Sequence, residues 1–218
     1  MLMHISWKSQ KGSSHKNNND YVAIRANGDH FSAVIVDASD KGKAPSRLAE
    51  YWAKTLLTSY IKQEHGSVLT LLKDIHRTLI PDYLTESASY TLIDIDLKDR
   101  SGEIVYVGDC RLGKSNHCDI NWVNEPHIIV STFPELDESY ACFLTRVLKA
   151  RRFTLPDQVN FSWQHGEILL LCTDGYWRPH SDNQGLNRDD ASALKVRPDD
   201  SDLTLTVDSD CDNFFFIT

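Results

Sequence analysis

Glu167-Ile-Leu-Leu-Leu-Cys-Thr-Asp-Gly-Tyr-Trp177 is the stretch from which the fold can be read. Ile168 to Cys172 form an unbroken apolar run, and Thr173, Asp174 and Gly175 end it. A short apolar run closed by a glycine turn predicts a strand buried on both faces. A carboxylate at the end of such a strand is costly to hold unpaired, so Asp174 requires a partner. The pattern recurs upstream, where Phe31-Ser-Ala-Val-Ile-Val stops at Asp37 and Glu103-Ile-Val-Tyr-Val-Gly stops at Asp109. Its mirror image occurs where Asp20 opens Tyr21-Val-Ala-Ile and Asp212 opens Asn213-Phe-Phe-Phe-Ile. Antiparallel neighbours place the start of one strand beside the end of the next. Asp20, Asp37, Asp109, Asp174 and Asp212 are therefore expected to converge on one edge of a sheet stack.

At 218 residues and 41% hydrophobic content, the chain is read as a single domain over 1–218 with a sizeable core. A net charge of -8 argues against a nucleic-acid groove or a surface for anionic membranes. The cysteines Cys110, Cys118, Cys142, Cys172 and Cys211 are odd in number and show no C-x-x-C spacing, which favours reduced thiols over disulfides or zinc. Met1-Leu-Met-His-Ile-Ser-Trp-Lys8 lacks the apolar segment of a signal peptide, and no apolar run approaches a membrane span. A soluble, cytoplasmic monomer with no nucleic-acid or membrane partner is expected.

Outward from the opening stretch, strands are expected at 4–8, 21–26 and 31–37, the last two joined through Asn27-Gly28, a strong hairpin signal. Pro45-Ser46 introduces a helix with Leu48, Tyr51, Trp52, Leu56 and Tyr60 on one stripe. Val68, Leu71, Leu72, Ile75 and Leu79 mark a second helix ending before Pro81. Both stripes are read as core packing against a sheet. Further strands are expected at 89–97, 103–109, 119–123 and 168–174, with loop and strand at 156–164 and a helix over 139–152. The C-terminal part reads as polar up to Asp202, followed by two closing strands at 203–207 and 213–217. Helices between two groups of strands indicate an α+β fold, with sheets in the middle and helices outside.

Clustered carboxylates repel one another unless something positive sits among them. Hard oxygen ligands select Mg²⁺ or Mn²⁺ over zinc. Two such ions sharing a carboxylate can hold a water that loses a proton readily and attacks a phosphoryl group in line.

The segments carrying these aspartates resemble those of the metal-dependent Ser/Thr protein phosphatases of type 2C, the PPM family, in order along nearly the whole chain. Leu169-Leu-Leu-Cys-Thr-Asp-Gly-Tyr-Trp177 is similar to L-L-L-C-S-D-G-L-W, and Val105-Tyr-Val-Gly-Asp-Cys-Arg111 resembles the V-G-D-S-R strand end. His15-Lys-Asn-Asn-Asn-Asp20 stands where the family has R-x-x-N-x-D, and Ala33-Val-Ile-Val-Asp37 where it has V-x-D-G. Ser87-Ala-Ser-Tyr-Thr91 resembles a weakened G-T-T-A strand, and Leu144-Thr-Arg-Val-Leu148 an L-T-R-x-L helix.

The resemblance implies a four-layer α-β-β-α sandwich around a central pair of mostly antiparallel sheets. It implies hydrolysis of phosphoserine or phosphothreonine in proteins by a water activated between two Mg²⁺ or Mn²⁺ ions, with room for a third. Asp37 would bridge both ions and Asp174 would bind the second, which makes these two the catalytic pair. The Ala38 carbonyl would bind the first ion, Asp20 would act through metal-bound water, and Asp109 would lie near the third position. The last ligand would come from a D-N-x-T type strand. Asp212 fits through Asp212-Asn213, with Asp200 and Asp202 as alternatives. His15 replaces the phosphate-gripping arginine, leaving His15 and Lys16 as the substrate-binding candidates, and Ala38 replaces a glycine. These two replacements motivate an alternative, a weak or inactive phosphatase-like module that binds a phosphorylated partner. Hydrolysis of a small phosphorylated metabolite is a third reading.

Overall fold

The computed structural model describes residues 2–62, 67–116, 119–179 and 185–218. Along the chain run β1 (Leu2–Gln10), β2 (Asp20–Asn27), β3 (His30–Ala38), the helices α1 (Pro45–Lys62) and α2 (Val68–Arg77), then β4 (Ala88–Asp96) and β5 (Ser101–Val107). They are followed by β6 (Arg111–Asn116), β7 (Asp119–Trp122), the short helix α3 (Ile129–Thr132), a 3₁₀ turn over Glu138–Cys142 and β8 (Asp157–Ser162). The chain closes with β9 (Ile168–Cys172), the short helix α4 (Asp174–Trp177), β10 (Ala191–Asp202), β11 (Thr204–Ser209) and β12 (Phe214–Ile217).

The continuous apolar runs are explained by burial on both strand faces. In β3, Phe31, Ala33 and Ile35 point into one core while Val34, Val36 and Ala38 point into another. The first core lies between two six-stranded sheets, ordered β11-β1-β10-β9-β6-β7 and β12-β2-β3-β4-β5-β8. The second lies between the latter sheet and the apolar stripes of α1 and α2, with Trp52 and Leu56 fully buried. β9 behaves likewise: Leu169 and Leu171 enter the inter-sheet core, while Leu170 and Cys172 face a small cluster with Trp122, Tyr176 and Trp177. All pairings are antiparallel except β1 with β11 and β12 with β2. The α+β sandwich is as expected. Among the described residues, the helical layer on the outer face of the β9 sheet is reduced to the four-residue α4.

Two expectations about elements are corrected. Residues 143–152 do not continue the 3₁₀ turn as a helix, because isolated bridges take their backbone: Leu144 pairs with Ile128 and Leu148 with Ala88. The C-terminal polar stretch contains β10, a twelve-residue strand lying between β1 and β9.

Candidate active site

Four of the expected aspartates gather at one end of the sandwich. In the β2–β3 hairpin, Asp20 and Asp37 are direct cross-strand partners. Asp174 follows the end of β9, and Asp109 follows the end of β5. Asp189 and Asp190 join them from the segment leading into β10, whose antiparallel pairing with β9 brings its start beside Asp174. Two glycines make this approach feasible. A side chain on Gly175 would meet the Asp190 carbonyl at 2.1 Å, and Gly108 has φ +100° with Ser89 Oγ 2.1 Å from where a Cβ would stand.

The electrostatics are those of crowded, poorly hydrated carboxylates. Burial, then the charges of Asp20, Asp174, Asp109 and Asp189, push Asp37 well above the usual carboxylate range. Burial and Asp190 do the same to Asp20, despite hydrogen bonds from Thr173 and Ser192. Thr173 Oγ1 donates to Asp20 Oδ2 at 3.0 Å, whereas Asp20 Oδ1 is buried without a partner among the described residues. Asp109 is held at about 7 by burial and by Asp174, partly offset by a 2.7 Å hydrogen bond from Ser89 and by Arg178. Asp189 rises to about 6 through burial and Asp174.

A cavity of about 160 Å³ opens on this cluster, bordered by Asp37, Asp109, Asp174 and Asp189 with His15, Ala38 and Ser89. Among its described lining residues there is no lysine or arginine. His15 is not a free phosphate grip. Its Nδ1 lies 3.0 Å from Asp190 Oδ2, and its Nε2 lies 3.6 Å from Asp189 and 3.8 Å from Asp40. Burial would lower its pKa, but the hydrogen bond and charge of Asp190, helped by Asp189 and Asp40, leave it raised.

Lys16 and Asp212 are not among the described residues bordering this cavity. Both line a second cavity, with Lys11, Arg47, Asp210 and Asp20 itself. Asn213, between Asp212 and β12, is tied to β2: its Nδ2 donates to the Asp20 carbonyl at 3.1 Å, and its carbonyl accepts from the Val22 N–H at 3.0 Å. The side chains of Asp200 and Asp202 lie outside the described residues. Ala38 lines the first cavity from extended backbone. Arg100 is the only non-glycine with positive φ among the described residues, so the missing glycine at 38 entails no strain.

Residues that the sequence reading passed over complete the site. Asp189 has a legible signal: Asp189-Asp190-Ala191-Ser192 opens a strand in which Leu194, Val196 and Pro198 alternate with Lys195 and Arg197. His127 fixes the turn before Asp109, because its backbone N–H donates to the Gly108 carbonyl at 2.8 Å and its Nδ1 accepts from the Gly108 N–H at 3.0 Å. Its Nε2 lies 3.0 Å from Asp157, and Arg146 bonds Asp157 at 2.7 Å. No local sequence signal marks His127, since its partners are brought in by tertiary packing.

The donor set suits a hard divalent cation. It is carboxylate oxygen throughout, with Asp37 raised by burial and then by its neighbours' charges, and includes one orphaned buried oxygen on Asp20. Among the described residues no three of these side chains are drawn together into a ready coordination shell.

No known family profile and no curated protein matches the sequence. Solved structures do. A bacterial serine phosphatase superposes with a TM-score of 0.76 at 15% identity, over 90% of this chain and 98% of that one. A serine/threonine phosphatase from Staphylococcus aureus gives 0.73 at 17% identity, over 88% and 94%. The catalytic domain of the serine/threonine phosphatase PstP, in complex with two manganese ions, gives 0.65 at 15% identity, over 90% and 98%. The fold is that of the bacterial Ser/Thr phosphatases. In this phosphatase fold the aspartate-rich end of the sandwich is the candidate active site, built on five separate strand ends. At this identity the likeness shows the fold.

Proposed function

We propose that the chain is a metal-dependent Ser/Thr protein phosphatase of the PPM family. What carries the reading is the cavity: five carboxylates border it, its described lining has no lysine or arginine, and a phosphate dianion is repelled from it unless divalent cations are present. Asp37, Asp174 and Asp189, with the Ala38 carbonyl, would hold two Mg²⁺ or Mn²⁺ ions, and Asp20 would support them from behind. Bound there, the ions would activate a water and neutralise the phosphoryl oxygens.

The chain's own residues supply the rest. Ser89 and Arg178 orient Asp109 and Asp174. His15, held by Asp190 and kept protonated more readily than a free imidazole, is the proton-carrying group at the cavity wall. A volume of about 160 Å³ is below the ~300 Å³ lower end for small-molecule sites. It suits a phosphorylated side chain whose peptide lies outside, and this favours phosphoproteins over phosphorylated metabolites.

The test is phosphate release from p-nitrophenyl phosphate and from a phosphothreonine peptide, with Mn²⁺ and with EDTA. Release that requires Mn²⁺ and falls by roughly 1,000-fold or more in Asp37→Asn or Asp174→Asn is expected, the scale of losing a main electrostatic stabiliser. Release that survives both substitutions would remove the metal reading. Free phosphoserine turned over as fast as the peptide would point to a metabolite instead.

A further inference from the structure

Arg178 is a fixed cation inside the carboxylate cluster. It directly follows α4, whose first residue is Asp174, and its Nη2 donates to Asp174 Oδ2 at 3.2 Å. Only 11% of its side chain is exposed, and Nε and Nη1 are buried with no hydrogen-bond partner among the described residues. Trp177 lies 5.3 Å from the guanidinium, and its Nε1 donates to the Asp109 carbonyl at 3.0 Å. Asp109 feels Asp174 as a repelling charge and Arg178 as an attracting one.

Burying a guanidinium that makes one side-chain hydrogen bond among the described residues is unfavourable unless its charge is used. Here the charge has two users, Asp109 and Asp174. On the opposite flank of Asp174, burial and neighbouring carboxylates dominate Asp37 and Asp20. The cluster is thus split, with one side neutralised from within the chain and the other not.

We propose that Arg178 is the permanent counter-cation of the Asp109–Asp174 pair, so that divalent ions bind on the Asp37 side of Asp174 and none binds between Asp109 and Asp174. This rests on the metal-dependent reading above and removes Asp109 from the set of metal ligands. A guanidinium and a divalent ion held between the same two carboxylates repel each other and compete for the same negative charge, so removing the guanidinium favours the ion.

The test is Mn²⁺ binding to the full chain by titration calorimetry, with a thermal melt of each protein to establish folding. The unsubstituted chain and Asp109→Asn should bind the same number of ions. Arg178→Gln should bind one more, and Arg178→Lys, which keeps the charge, should not. Loss of a bound ion in Asp109→Asn, an unchanged count in folded Arg178→Gln, or a gain in Arg178→Lys would each overturn the proposal. Should Arg178→Gln fail to fold, the Asp109→Asn comparison decides alone. Absence of Mn²⁺ binding in every protein would overturn the metal reading and this proposal together, an outcome distinct from the others.

Discussion

Asp189 and Asp190 are adjacent in sequence and do different work. Asp190 is used up structurally: Oδ1 accepts from the Gly12 N–H at 2.8 Å, and Oδ2 accepts from the Asn19 N–H at 2.7 Å and faces His15. Asp189 instead borders the cavity with 44% of its side chain exposed, enough for it to reach an ion there. Asp189→Asn is therefore expected to weaken Mn²⁺ binding by roughly 100-fold. Asp212→Asn, in the second cavity, should leave both binding and turnover within about twofold. Titration calorimetry on the pair separates the two assignments, and the reverse ranking would restore Asp212. Ala38 carries a second residue-level test. Because it sits in extended backbone at the end of β3, Ala38→Gly should destabilise by about 0.5–1 kcal/mol and repair nothing. Urea unfolding of the two proteins measures this directly. The four aspartates at apolar strand ends were legible because burying a carboxylate beside such a run demands a partner. The signal at Asp189 is weaker, because the arginine and second aspartate around it read as loop.

At the scale of elements, the strands legible in sequence are those buried on both faces, such as β3 and β9, whose apolar runs are unbroken. β10 was missed although it is central, since Lys195 and Arg197 project outward between buried Leu194 and Val196. The helix expected over 139–152 fails for a different reason. Thr145 donates its N–H to the His127 carbonyl at 2.8 Å, and Leu148 donates to Ala88, also at 2.8 Å, so tertiary bridges outcompete the local helical preference. The turn between β5 and β6 depends on the same neighbourhood. His127 satisfies both peptide groups of Gly108, while Tyr106 stacks on its ring at 4.8 Å. Burial lowers the His127 pKa, outweighing Asp157, and this favours the neutral ring whose Nδ1 can accept from Gly108. His127→Ala leaves the Gly108 N–H without its acceptor and should cost about 1–3 kcal/mol in thermal or urea unfolding. With Asp109 held less firmly, turnover should fall while peptide KM changes little. Stability equal to that of the parent protein would mean that β5 and Ser89 hold the turn without His127.

The whole molecule carries a net charge of -8, and much of its unfavourable part is concentrated in one cavity. In the folded, metal-free chain Asp109 titrates at about 7 and Asp189 at about 6, against ~3.9 for an unfolded aspartate. A raised carboxylate pKa means that the fold prefers the neutral acid. These groups therefore stabilise the fold fully below about pH 4, and that contribution is lost as pH rises through about 6 and then about 7. Asp20, Asp37 and His15 are also raised and act in the same direction. Glu86 and Asp157 are lowered, and their contributions disappear only as pH falls through the acid range. Between pH 8 and 5.5 the sign is thus fixed: in EDTA the melting temperature should rise on acidification, by ~2–4 °C for each kcal/mol regained in a chain of this size. On the metal-dependent reading, divalent ions would occupy the place the protons take. Mn²⁺ at about 100 times its dissociation constant should add about 2.7 kcal/mol at pH 8, and less at pH 5.5, where protons compete. Scanning calorimetry with and without Mn²⁺ across that range reads both effects, and parallel profiles would show that protons and metal ions do not share one set of carboxylates.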